Sequence, residues 1–253
     1  MAAVWRREQY TVGGGPGEIA LIALSTQKLP DPLPVSRKRH GMPDEGDGPT
    51  SVALVARDRA EDPAWFTEQV VAPFADLIAA DLGPQHAAAA LAAEHAYVIE
   101  AQVDDPDDLG HVQAAWALAK CVCEEGATIV IDVYAARAHL GSEVASLSPD
   151  RSFDIMHEVT LFFDELGDGN LAAWSLGLRK FGRPDIVLLD LDPEEATDAA
   201  LLLRDVAQTL AAGERIEPGD TVTSPSGRSL VAQRFDPASA PVVAVEGDAI
   251  LLR

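Results

Sequence analysis

The 253-residue chain predicts an α+β fold, with mixed or antiparallel sheets and about three to four helices packed on them, from three observations. Hydrophobic residues make up 47% of the chain and aromatic residues only 6%, so a sizeable core has to be built mainly from Ala, Leu and Val. Asp-Pro occurs at Asp62-Pro63, Asp105-Pro106 and Asp192-Pro193, each time ahead of apolar residues at helical spacing. Strand-like runs cluster late and helical patterns earlier, unlike the regular alternation of an α/β sheet.

In chain order, Gly13-Gly14-Gly15-Pro16-Gly17 reads as a flexible lead-in to a strand at Ile19–Ser25. It is not a phosphate loop, because no strand precedes it, no helix follows and no Lys-Ser/Thr pair closes it. Residues 28–49 hold five prolines and three glycines and predict a long irregular loop. A strand at Ser51–Ala56 follows. In each Asp-Pro pair the aspartate accepts from orphan amides, and the proline has no amide to orphan. The first helix carries Trp65, Phe66, Val70, Phe74 and Ile78, with Pro73 expected to kink or break it. A short alanine-rich helix covers 84–93. The middle helix shows Leu109, Val112, Trp116, Ala119 and Cys123 on one face and stops at Gly126. The last adds Glu195 at the capping-box position, shows Ala196, Ala199, Leu203, Val206 and Leu210, and closes at Gly213.

Further strands are expected at 97–103, 128–134, 155–163, 172–178, 186–191, 221–223, 229–233, 242–245 and 250–252, with a hairpin turn at Ser226-Gly227. The whole reads as a single α+β domain over residues 1–253, with a weak two-part division at the polar stretch 141–152.

Forty-one acidic against nineteen basic residues give a net charge of −22. Such a surface repels nucleic acid and anionic lipid and attracts basic proteins or cations; acidity that only maintains solubility is the plainer alternative. No run approaches the length of a membrane span, and the start lacks the order of a signal peptide. The two cysteines read as reduced thiols, which makes a cytoplasmic setting the expectation.

Catalytic signatures are not found. Cys121 and Cys123 lie two apart on a helix, so their thiols diverge and suit no metal. The histidines (40, 86, 95, 111, 139 and 157) show no helical metal spacing, and His157-Glu158 is placed in a strand, where neighbours face opposite ways. No Gly-x-Ser-x-Gly elbow occurs. No catalytic residue, metal or cofactor is therefore assigned. The basic run Arg37-Lys38-Arg39-His40 reverses the local sign and is expected to be held by Asp44, Glu45 and Asp47 or to anchor an acidic partner.

The most distinctive stretch runs from Trp174 to Asp185. Gly182 supplies an unusual backbone angle, Pro184 stiffens the start of the next strand, and Arg179, Lys180 and Arg183 gather in one short connection. That cluster either binds an anion or simply suits a tight turn. The motif Gly177-Leu178-Arg179-Lys180-Phe181-Gly182-Arg183-Pro184-Asp185 resembles an uncharacterised bacterial protein family with a late Gly-Leu-x-x-Phe-Gly-x-Pro-Asp/Glu motif. Asp105-Pro106, the helix through Trp116 and Gly126-Ala127 are similar to the same family's middle region, so the likeness spans residues 95–215. The resemblance implies an α+β fold and no activity. Where members often carry His before the first glycine, this chain has Leu176, so no role for that histidine transfers.

The leading expectation is a non-enzymatic interaction module, in its sharper form an immunity- or inhibitor-type protein that neutralises a basic partner. The alternative is an enzyme or ligand-binding protein with an anion pocket at Trp174, Arg179, Lys180 and Arg183, joined by His157.

Overall fold

A computed structural model of the chain describes residues 2–43, 52–167, 169–245 and 247–253. It is α+β, with a five-stranded and a six-stranded sheet. The residues gather into two compact units. Unit 1 comprises Met1–Trp5, Glu18–Val103 and Asp108–Phe153; unit 2 comprises Arg6–Gly17, Asp104–Asp107 and Asp154–Arg253.

Unit 1 is built on β1 (Pro16–Ser25), β2 (Val52–Asp58), β3 (His95–Asp104), β4 (Ile129–Asp132) and β5 (Arg137–Leu140), in the order β2-β3-β1-β4-β5. Its helices are α1 (Arg37–His40), α2 (Pro63–Phe66), α3 (Ala72–Leu82), α4 (Pro84–Leu91), α5 (Gly110–Glu124) and α6 (Gly141–Ser146). Ile22, Leu24, Ile129, Ile131 and Ala138 form one face of the sheet and pack with Phe66, Val70, Ile78 and Ala90 of the helical hairpin. Strand alternation turns His139 to the opposite face, where its ring meets Trp116 of α5 at 5.2 Å. Helices therefore cover both faces, and this explains why β1 and β4 read as unbroken apolar runs.

The Asp62 carboxylate caps α2 by accepting from Trp65 N, as its sequence predicts. Pro73 does not break the helix. A π turn at Thr67–Val71 carries the backbone from α2 into α3, so Pro73 falls in the first turn of α3, where its missing amide costs nothing. Asp105-Pro106 caps no helix: α5 starts at Gly110, and Asp105 has φ 36°. Within the proline-rich 28–49 stretch, Ser36 caps the short helix α1, and the rest of the described part is irregular. The polar stretch at 141–152 includes α6.

Unit 2 comprises α7 (Ile155–Glu158), β6 (Thr160–Glu165), β7 (Leu171–Leu176), β8 (Asp185–Leu191), α8 (Ala196–Ala211), β9 (Thr221–Thr223), β10 (Ser229–Arg234) and β11 (Ala249–Leu252). The sheet order is β6-β7-β8-β11-β10-β9, with β8 and β11 parallel and the other pairs antiparallel. Asp192 and Glu195 form the predicted capping box ahead of α8. The helix buries Ala199, Leu202, Leu203, Val206, Ala207, Leu210 and Ala211. A separate layer on this sheet joins Ala172, Trp174, Val187 and Leu251 to Phe235, Ala240 and Val243.

Two expected strands are corrected here. Residues 155–158 form a helical turn, because Asp154 accepts from Met156 N at 3.0 Å and Val159 N reaches Ile155 O at 2.9 Å. Residues 242–245 form turns that cover the sheet, since β11 already occupies the edge of β8. The helices outnumber the three or four expected, because several are single turns that leave no periodic signal.

Phe66 is fully buried and anchors the helical hairpin to its sheet. Phe66→Ala should cost about 3–5 kcal/mol in urea unfolding, the usual range for deleting a buried aromatic ring.

Candidate functional site

The stretch joining β7 to β8 is the most chemically dense part of unit 2. Its path needs both glycines: Gly177 has φ 120° and Gly182 φ 62°, and a Cβ on Gly182 would lie 2.2 Å from Gly15 O. Between them, Leu178–Phe181 makes one 3-10 turn. Gly15 N donates to Gly182 O at 3.0 Å, so the glycine-rich segment at 13–17 is a packed partner of this turn and not a loose lead-in.

Each cation of the motif meets a different environment. Lys180 is fully buried, and its Nζ donates to Glu158 Oε2 at 2.9 Å. The other oxygen of Glu158 lies 3.0 Å from His157 Nδ1, so His157 and Lys180 are brought together through one carboxylate. Arg183 is buried and donates to the carbonyls of Glu214 (2.9 Å), Gly213 (2.8 Å), Thr11 (3.1 Å) and Gly182 (3.1 Å), and to Asp105 Oδ1 (3.3 Å). Arg179 is half-buried on the 3-10 turn. Trp174 is not gathered with them; it stacks on Phe162 at 5.6 Å in the apolar layer of the sheet, with no hydrogen bond to its buried Nε1.

Asp185 closes the motif from inside. Its Oδ1 accepts from Leu178 N at 3.2 Å and Ser175 Oγ at 3.1 Å, and Ser175 Oγ in turn accepts from Ile186 N at 2.9 Å. Burial pushes the carboxyl up to about 7, against the pull of Leu178, Ser175, Gly177 and Lys180.

Sequence reasoning missed Arg7 and Asp105. Arg7 donates to Pro106 O (2.6 Å), Phe181 O (3.0 Å), Leu210 O (2.9 Å) and Ala211 O (3.0 Å), and burial together with Arg183 lowers it to about 10. Asp105 accepts from Gly13 N at 2.7 Å, Tyr10 Oη at 3.0 Å and Arg183. Burial would raise its carboxyl, but those bonds hold it below the usual carboxylate range. Local reading of Asp105-Pro106 as a helix cap hid this role, because all its partners are distant in sequence.

Elsewhere, burial pushes the Cys121 thiol up to about 11 and Cys123 to about 12, so neither forms a thiolate near neutrality. No group of three or more His, Cys, Asp or Glu among the described residues could hold a metal ion. Two residues of the basic run at 37–40, Arg39 (2.5 Å) and His40 (3.3 Å), meet Glu124, which also binds Lys120 (3.0 Å). The expected partners Asp44, Glu45 and Asp47 lie outside the described residues. Among the described residues no helix is long and apolar enough to cross a membrane.

The charge is distributed unevenly between interior and surface. Among the described residues, three carboxylates (Asp132, Glu158 and Asp185) are buried against four cations (Arg7, Lys120, Lys180 and Arg183). Arg39, Arg204, Arg215, Arg228 and Arg253 pair with Glu124, Asp205, Glu217, Glu195 and Asp190. What faces solvent is therefore strongly anionic.

Comparison with protein-family models, with curated proteins and with solved structures gives no match.

Two outcomes follow from the motif. Lys180→Met leaves Glu158 buried without its ammonium partner and should cost about 3–5 kcal/mol in denaturant unfolding, whereas Lys180→Met with Glu158→Leu should recover most of it. Asp185 binds its proton more tightly in the folded chain than in the unfolded one. Its contribution is complete below the unfolded value near 3.8 and is lost as pH rises through about 7. Urea midpoints at several pH values should show the wild type losing ground to Asp185→Asn over that window; parallel profiles would refute the assignment.

Proposed function

We propose that the chain is a non-catalytic interaction module whose anionic surface recruits a basic protein. The observation that carries this is the division of charge: four of the nineteen cations are turned inward onto carbonyls and carboxylates and five more are paired with carboxylates at the surface, while only three of the described carboxylates are buried. An inhibitor- or immunity-type protein that covers the cationic face of its target needs such a surface. The anion pocket around Gly177–Asp185 has less support. A ligand there would have to displace Glu158 from Lys180 and five acceptors from Arg183, leaving buried polar groups unpaired.

Immobilised chain should retain a basic protein from lysate of its own host at about 50 mM salt and release it at about 500 mM, where the screening length falls well below 10 Å. The purified pair should then weaken at least tenfold between those two conditions. A partner indifferent to salt, or none at either salt, would overturn the proposal. Metabolite screening against Arg179→Ala would then be the next measurement.

A further inference from the structure

In unit 2 the strand β9 ends the sheet, so one side of its backbone is unpaired within the fold. The register fixes which groups are left over. Ser224 N donates to Arg228 O and Ala232 N to Asp220 O, both at 2.8 Å, so residues 220, 222 and 224 exchange bonds with β10. Alternation then turns the N–H and C=O of Thr221 and Thr223 to the free edge. Beside that edge, between β9 and α8, runs a groove of about 500 Å3. Leu202 and Val206 of α8 supply an apolar floor with Ile216 and Val222, and Asp205, Glu214 and Asp220 supply carboxylates. The groove's cation, Arg215, is engaged by Glu217 and by Val12 O at 3.0 Å. Asp205 shares the exposed guanidinium of Arg204, a pairing weak enough in water to yield to a ligand.

We infer that this groove binds an extended peptide bearing Lys or Arg at alternate positions, added to β9 as a further strand. The edge amides and carbonyls of Thr221 and Thr223 give main-chain pairing, which is independent of sequence. Side chains of an added strand that face the same way repeat about every 7 Å, so two or three enter the groove. Long cationic side chains suit it, because their stems cover the half-buried Ile216 and Val222 while their charged ends reach the carboxylates. A second copy of this chain, with a net charge of −22, is disfavoured at an edge lined by carboxylates. The inference rests on the interaction module proposed above and names the place where its basic partner docks.

The test titrates the full chain, labelled with 15N, with an acetylated octapeptide of alternating Lys and Thr, and with its Glu-Thr counterpart as control. The expected result is amide shift changes at Thr221 and Thr223 and along Leu202–Thr209 with the Lys-Thr peptide alone. Thr221→Pro removes an edge N–H without touching the bonds to β10, and should weaken binding at least tenfold. Glu214→Lys alters an exposed side chain and should do the same by reversing charge, so a folding defect in the proline variant leaves the inference testable. Shift changes elsewhere with salt-sensitive affinity would overturn the groove while sparing the broader proposal. Equal binding of the Glu-Thr peptide would overturn the charge preference. No shift with either peptide would overturn the groove, and the salt-dependent capture of a whole protein would then decide the broader proposal by itself.

Discussion

An α-helix leaves its last carbonyls without partners, and in unit 2 the end of α8 and the two residues after its cap are held by two buried guanidiniums. Arg7 takes the carbonyls of Leu210 and Ala211, and Arg183 those of Gly213 and Glu214. Positive charge at the negative end of a helix is favourable, and each planar fork meets several acceptors at once. Because Arg7 also binds Pro106 and Phe181, and Arg183 binds Thr11 and Asp105, four separate stretches of chain converge on this one need. The tight glycines follow from it. Gly14 lies where a Cβ would strike Arg183, and Gly182 where it would strike Gly15 O.

The same geometry shows how the buried cations of the motif from Gly177 to Asp185 are answered within unit 2. Cations, glycines and an aspartate in a short connection are what an anion site needs, and also what a crowded backbone crossing needs. For Lys180 the partner is Glu158, which answers it from outside the motif. Nothing local announces that partner, since 158 lies on a helical turn that reads as a strand.

Elements whose determinants are local were legible from sequence: the capping box at Asp192, the amphipathic period of α8, the apolar runs of β1 and β8, and the cap at Asp62. Those settled by distant partners were not. Asp105 is drawn from helix capping by Gly13, Tyr10 and Arg183. Residues 242–245 have strand-like composition, but β11 takes the position beside β8 and leaves them to cover the sheet face. The strand β5 has four residues with no alternating pattern, and only pairing with β4 makes it a strand. The groove beside β9 was equally hidden, since a three-residue strand carries no sign of being an edge.

Acidity and internal architecture are linked through the cations. A chain with nineteen basic residues that buries four of them to satisfy carbonyls and carboxylates gives up part of its means of neutralising its own surface. Self-repulsion among the exposed carboxylates opposes compaction, so those internal bonds hold the fold against a cost that an evenly charged protein would not carry. A cationic partner of the kind proposed would relieve that repulsion as it bound. Such binding and folding stability would be coupled in sign, because a ligand that neutralises the surface also stabilises the units that display it.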